Sequence, residues 1–174
     1  MSEARELVGT HSLSEQVVGG RATLVLRRFL RHPPPTVWRA ITDPEQIRQW
    51  FLTTATIDGR VGGEVVLVLD PVGVRSTGRI LAWEPPRVYA YELNLPGGTA
   101  PGAPSERIVV RWELTPTEGG TLLALTHRDL KRGWTEVLKV GLPFFLIRLE
   151  AQLDGREPPD WESRVEQARR FERG

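Results

Sequence analysis

The strongest constraint on the fold is a stripe of large apolar residues near the carboxyl end of the chain. Within residues 131–154 successive members are four, four, three, four and four positions apart: Trp134, Leu138, Leu142, Phe145, Leu149 and Leu153. At 3.6 residues per turn, this spacing places them on one face of an α-helix about 33 Å long. A helix of that length can cross a whole small sheet, so its apolar face requires an extended partner surface.

The same helix carries a second apolar stripe, which burial of a single face does not explain. It consists of Val137, Val140, Phe144 and Ile147. Either of two elements could bury this second stripe. One is a second copy of the chain, which would form a homodimer through the long helix, and the other is the tail that follows. In the tail, 158–160 (Pro-Pro-Asp) caps a last predicted helix. Its apolar face consists of Trp161, Val165, Ala168 and Phe171.

The partner surface is predicted by residues 53–127, where short alternating runs are separated by clusters of Gly and Pro. The predicted strands are 53–58, 64–70, 74–83, 87–93, 106–114 and 121–127. The longest connection is the loop 96–104. Short connections favour antiparallel neighbours in a meander. Two earlier strands, 11–18 and 21–31, are predicted to form a hairpin around 19–20 (Gly-Gly).

Two short helices are predicted between the second and third strands. Three prolines, 33–35, end the second strand, since proline cannot donate to a strand ladder. The first helix begins near Pro35 and has Val37, Trp38 and Ile41 on its apolar side. Asp43 and Pro44 then provide the cap and the first-turn proline of the second helix.

Composition narrows the possible functions. Among the 174 residues there is no cysteine, and the three histidines are not spaced as metal ligands are. The charges of the 23 basic and 22 acidic residues nearly cancel, which disfavours non-specific electrostatic binding to nucleic acid. The most apolar run, 137–149, is shorter than the roughly 20 residues of a membrane span, and residues 1–6 are not typical of a secretory signal. We therefore expect a cytoplasmic protein without a metal, another cofactor, a nucleic-acid partner or a membrane span.

An ordered series of motifs resembles the SRPBCC or START-like helix-grip superfamily, in the branch named after the activator of the heat-shock chaperone ATPase. The series runs from about residue 21 to 155, in the order expected of the family. The motifs are PTVWRAITDPE at 35–45 with WF at 50–51, GGE at 62–64, GRILAWEPPRV at 78–88, RWEL at 111–114, EGGT at 118–121, LTH at 125–127 and GW at 133–134. Each motif alone is mainly turn chemistry and core, so the order carries the resemblance.

The resemblance implies an α+β helix-grip fold. A curved antiparallel sheet would wrap around the long C-terminal helix, with two short helices after the first long strand. It also implies an interior cavity, and members of the superfamily bind or act on hydrophobic small molecules. Residues 1–20 would then form an N-terminal arm, 21–155 the helix-grip domain, and 156–174 a tail with a short helix.

Packing geometry also predicts a cavity, independently of the resemblance. A strongly curved sheet cannot pack flush along the whole length of a straight helix, so side chains fill the gap or leave a mostly apolar pocket. Strand alternation and the helical stripe point one set of side chains into this gap. The predicted ligand-binding residues are Val110, Trp112, Leu123, Leu125, His127, Trp134, Leu138 and Leu142. The same residues could instead form a filled core.

His127 is the one candidate for a catalytic residue. It ends a predicted strand just before the long helix, near the expected mouth of the cavity. It could hydrogen-bond a ligand or act as a general base near neutral pH. Alternatively, it hydrogen-bonds a loop backbone and only fastens the start of the helix.

Three functions are consistent with these residues. In the first, the protein holds a hydrophobic or amphipathic small molecule between the sheet and the long helix. In the second, it is a cyclase- or aromatase-like enzyme that uses His127. In the third, it is a protein-interaction module resembling a chaperone co-regulator, which only the name of the branch suggests.

Overall fold

A computed structural model describes residues 11–97 and 105–173 of the chain. Over these ranges, eight antiparallel strands form one sheet. The strands are β1 His11–Val18, β2 Arg21–Leu30, β3 Thr53–Ile57, β4 Glu64–Leu69, β5 Val74–Glu84, β6 Val88–Leu95, β7 Glu106–Thr117 and β8 Gly120–Leu130. Their order is β1-β2-β8-β7-β6-β5-β4-β3, so the first hairpin joins the last strand of the meander. Residues 1–10 of the predicted arm and 98–104 of the predicted loop lie outside the described ranges.

Four α-helices accompany the sheet in the described part of the chain. They are α1 Pro34–Thr42, α2 Pro44–Phe51, α3 Arg132–Leu153 and α4 Arg164–Arg173, with a short 3₁₀ turn at Trp161–Ser163. The curved sheet grips α3, which confirms the predicted α+β helix-grip class. None of these helices is both long and apolar enough to cross a membrane.

Helices α1 and α2 form a compact pair because local capping and one buried hydrogen bond hold them together. The Asp43 carboxylate accepts a hydrogen bond from the Glu45 amide at 2.9 Å, which caps α2. The indole N–H of Trp50 donates to the carbonyl of Ala40 at 2.7 Å. Because Trp50 is almost fully buried, this bond fixes α2 against the last turn of α1.

The buried Arg148 of α3 fastens α2 and the tail to the long helix. Its Nε donates to the carbonyl oxygen of Trp50 at 2.8 Å, and its Nη2 donates to that of Gln49 at 2.6 Å. Those carbonyls belong to the last turn of α2, where no helical N–H is left to pair with them. Its Nη1 donates to the carbonyl oxygen of Pro159. One guanidinium group therefore joins three segments.

The tail folds back on α3 because the helix ends in a Schellman motif. Gly155 has a φ of 70°, and its amide donates to the carbonyl of Gln152 at 3.1 Å. The Arg156 amide donates to the carbonyl of Ala151 at 2.8 Å. The chain thereby reverses, and α4 packs against α3 with Ala168 and Phe171 buried.

The tail covers part of the second apolar stripe of α3. Phe144 is fully buried, and its ring centroid lies 6.0 Å from that of Trp161. Val137, at the other end of the stripe, is 58% exposed. The homodimer through the long helix stays a prediction, which sedimentation at high concentration would test.

The concave face of the sheet has two different covers. The α1–α2 pair fills one part with aromatic side chains: the ring centroids of Trp38 and Trp83 lie 5.1 Å apart, and those of Trp50 and Trp112 lie 6.0 Å apart. Helix α3 spans the other part. The register of β2 on β8 shifts between Ala22 and Leu24, and such irregularities increase the bend of a sheet. The space under α3 is where the gap between sheet and helix opens.

Gly78, on β5, lies where the backbones of two paired strands leave no room for a side chain. A Cβ at this position would lie 1.7 Å from the carbonyl oxygen of Glu92 on the neighbouring strand. Because the backbone would have to move, we expect Gly78→Ala to lower the free energy of unfolding by about 1–3 kcal/mol. Gly133→Ala is the control, since a Cβ there meets nothing within 4 Å. Denaturant unfolding measures both, and wild-type stability for Gly78→Ala would contradict the packing described.

Candidate functional site

A cavity of about 160 Å³ lies between the sheet and α3. Its sheet wall is formed by side chains at alternate positions, which point to the same face. They are Leu67 and Leu69 on β4, Val74 and Ser76 on β5, Tyr91, Leu93 and Leu95 on β6, Ile108 and Val110 on β7, and His127 on β8. The register aligns them across the sheet: Tyr91 pairs with Val110, which pairs with His127.

Helix α3 forms the opposite wall. Its lining residues follow the helical period: Trp134, Val137, Leu138, Gly141, Leu142 and Phe145. Gly141 contributes no side chain, and a Cβ there would meet nothing within 4 Å, so the helix leaves space at this turn. Val137 in this wall is more than half exposed to solvent.

Three aromatic rings from three segments close one end of the cavity. Phe51 ends α2, Phe145 belongs to α3, and Trp161 comes from the tail. The Phe51 and Phe145 rings meet edge to face, with centroids 4.7 Å apart. The centroids of Phe145 and Trp161 lie 6.1 Å apart. The segments that carry these rings are the three that Arg148 fastens.

His127 is a polar residue of the lining whose hydrogen bonding is incomplete. The residue is only 7% exposed, and its Nδ1 is buried with no hydrogen-bond partner among the described residues. The hydroxyl of Thr53, also in the lining, donates to the carbonyl of Phe51 at 2.9 Å. The alternative in which His127 hydrogen-bonds a loop backbone has no such bond at Nδ1 among the described residues, and the role of His127 stays a prediction.

The electrostatics of the cavity keep its ionisable side chains uncharged at neutral pH. Burial lowers the pKa of His127 to about 4. Burial raises the pKa of Tyr91 to about 12, although a hydrogen bond with the Trp112 side chain acts in the opposite direction. In the described part of the chain, the lining contains no Asp, Glu, Lys or Arg. The cavity is therefore better suited to an uncharged ligand than to an ion.

Five of the eight residues predicted to bind a ligand line this cavity. They are Val110, His127, Trp134, Leu138 and Leu142. They come together because β7 and β8 pair in the register that sets Val110 opposite His127, while α3 crosses above them. Their role in binding a ligand stays a prediction.

The other three predicted residues lie outside the lining. Trp112 and Leu125 form a cross-strand pair, and Leu123 pairs with Leu114 farther along the same two strands. All three face the concave side and are buried, but Trp112 packs edge to face on Trp50 of α2. The helix pair thus fills the part of the sheet where the prediction placed more of the pocket.

Several lining residues were not predicted from the sequence. Ile108 could have been found, because it shares the strand parity of Val110. Leu67, Tyr91 and Leu93 come from strands whose distance from α3 depends on the curvature of the sheet. Trp161 was predicted only as part of the apolar face of a tail helix.

The described residues do not form a metal site of the usual kind. Between 11–97 and 105–173, no three His, Cys, Asp or Glu side chains lie close enough together to hold a metal ion. The side chains that line the cavity offer apolar contacts, hydroxyl groups and one imidazole.

A curved sheet that grips a long helix over a lined cavity defines a helix-grip protein, and comparison with protein families gives the same class. Residues 31–154 match the family described as Activator of Hsp90 ATPase homolog 1-like protein. The chain belongs to this family, which confirms the resemblance seen in its motifs. No curated protein matches the chain.

Solved structures give the same fold. Protein MLL2253 from Mesorhizobium loti is 32% identical, with a TM-score of 0.69, over 76% of this chain and 97% of that one. CalU16 from Micromonospora echinospora is 24% identical, with a TM-score of 0.68, over 94% of this chain and 96% of its own. EF2215 from Enterococcus faecalis, described as a conserved protein of unknown function, is 14% identical, with a TM-score of 0.67, over 98% and 92%. The last two show similarity of fold alone.

The buried His127 predicts a specific dependence of stability on pH. Its pKa is 6.5 when unfolded and about 4 when folded, so between these values the unfolded chain binds the proton more readily. Stability contributed by the neutral ring is complete above pH 6.5 and is lost as the pH falls towards 4. We expect wild type to lose about 3 kcal/mol more than His127→Leu between pH 7 and pH 4. Denaturant unfolding at both pH values measures this loss. An equal loss of unfolding free energy in the two proteins would contradict the burial of a neutral imidazole.

Proposed function

We propose that the protein binds a small, uncharged, mainly apolar molecule in the cavity between the sheet and α3. The observation that carries the proposal is the mainly apolar cavity of about 160 Å³, whose lining includes His127, a residue with a buried Nδ1 that has no hydrogen-bond partner among the described residues. Buried polar groups are normally hydrogen-bonded, and an exception requires an explanation. A ligand that completes this hydrogen bond supplies one.

The volume of the cavity limits the size of the ligand. At about 160 Å³ it is close to an engineered apolar cavity of about 150 Å³ that binds one benzene molecule. A ligand with a single ring therefore fits the observed dimensions. The aromatic wall formed by Phe51, Phe145 and Trp161 favours a flat ring, since such rings pack well edge to face.

The chemistry of a neutral imidazole indicates which polar group the ligand carries. Neutral histidine has one ring nitrogen that accepts a hydrogen bond and one that donates. A hydroxyl group can serve either nitrogen, whereas a carboxylate would lose its hydration among apolar side chains without a charged partner. We therefore propose phenol-like molecules, with one ring and one hydroxyl group, as the ligand class.

Binding is supported better than acid–base catalysis by His127. A general base works best when its pKa lies near the working pH, and burial holds the pKa of His127 at about 4. At neutral pH the ring is thus a weak base, though a good hydrogen-bonding partner. The cyclase- or aromatase-like alternative has no further support in the described residues. The expected cytoplasmic location of the protein also stays a prediction.

The proposal predicts saturable binding of phenol to the wild-type protein. A ring-sized group buries about 150–250 Å² of surface, which at about 25 cal/mol per Å² is about 4–6 kcal/mol and corresponds to a Kd between about 0.03 and 2 mM. Because toluene has the same shape but no hydroxyl group, we expect it to bind roughly 2–10 times more weakly. Titration followed by protein NMR measures both affinities.

His127→Leu is the matched variant for this experiment. It replaces the imidazole by an apolar side chain of similar size, which has no hydrogen-bonding nitrogens. We expect this variant to bind toluene at least as well as wild type and to lose its preference for phenol. Failure of both compounds to bind wild type would contradict the proposed function. An unchanged preference for phenol in His127→Leu would contradict the role of the imidazole.

A further inference from the structure

Trp161 belongs to a segment of the chain that lies beyond the family match. The match ends at residue 154, and the chain then turns back at Gly155. The Asp160 carboxylate accepts a hydrogen bond from the Ser163 amide at 3.0 Å, which caps the turn that holds Trp161. The tail thus adds to the cavity a wall that residues 31–154 do not contain.

Two groups hold the indole of Trp161 in this wall. Its ring lies against Phe144 and Phe145, with centroids 6.0 and 6.1 Å away. The Arg164 guanidinium lies over the ring, 4.5 Å from its centroid, within the range of a cation–π contact. Arg164 also donates to the carbonyl of Trp161 at 3.1 Å. Contacts with these side chains therefore hold the ring in the wall.

The docking of the tail does not depend on Trp161 alone. Arg148 donates to the carbonyl of Pro159, just before the indole. Beyond it, Ala168 and Phe171 are buried, and the guanidinium of Arg28 on β2 lies 5.4 Å from the Phe171 ring. Contacts before and after position 161 thus hold the segment in place if the indole is removed.

We infer that Trp161 determines the size of the ligand, closing the end of the cavity so that it accepts one ring and excludes two. The inference rests on the proposed function, because it concerns the same cavity. The indole lies next to Phe145 at the end of the lining, so its removal extends the cavity towards the tail. Selectivity for size then comes from a residue outside residues 31–154, the segment that matches the family.

The test compares phenol with 2-naphthol, which adds a second fused ring and keeps one hydroxyl group. We expect Trp161→Ala to bind 2-naphthol about tenfold or more tightly than wild type does, while its affinity for phenol is equal or lower. Trp161→Phe keeps a smaller ring and should gain less. Val165→Ala, at an exposed position of the same tail outside the lining, is the matched control and should change neither affinity. Circular dichroism and thermal unfolding check that each variant is folded.

The possible outcomes separate the inference from the proposed function. If wild type binds phenol and the ratio of the two affinities is the same in Trp161→Ala, the inference is overturned and the proposed function stands. If no folded variant binds either compound, both are overturned. If Trp161→Ala does not fold, Trp161→Phe decides, since a gain for 2-naphthol over the Val165→Ala control supports the inference and its absence overturns it.

Discussion

The structure depends on one buried cation that is hydrogen-bonded to backbone carbonyls. Arg148 uses three of its N–H groups on carbonyls of Gln49, Trp50 and Pro159. A guanidinium group suits this task because its donors form a planar fork and stay protonated. Leaving such carbonyls buried and unpaired is costly, so α2, α3 and the tail are held in one arrangement. That arrangement sets the three aromatic rings at the end of the cavity.

The cavity follows from the different covers of the concave sheet. Where α1 and α2 pack, indole rings from both the helices and the sheet fill the space, as the contact between Trp50 and Trp112 shows. Where α3 crosses, leucine side chains and Gly141 leave a hollow over strands β4 to β8. The imidazole of His127 lies in that hollow because it shares a face with Val110. A mainly apolar hollow that also carries an imidazole is the physical basis of the proposed binding function.

Local patterns in the sequence predicted the elements of the fold better than the site. The spacing of Trp134, Leu138 and Leu142 identified the helical wall, since the helical period is a property of consecutive residues. Strand parity identified the face on which Trp112 and Val110 both lie, but not which of them borders the cavity. That difference depends on where the helix pair packs, which involves residues more than 60 positions away in the sequence. The place of Trp161 depends likewise on the turn at Gly155 and on Arg148.

The most direct test of the account is a crystal structure of the protein under xenon pressure, because xenon enters apolar cavities of this size without needing a hydroxyl group. We expect one or more xenon atoms between Val110 on the sheet and Leu138 or Leu142 on α3. A crystal in which xenon binds elsewhere, and side chains fill the space around His127, would contradict the existence of the cavity on which the proposed function rests.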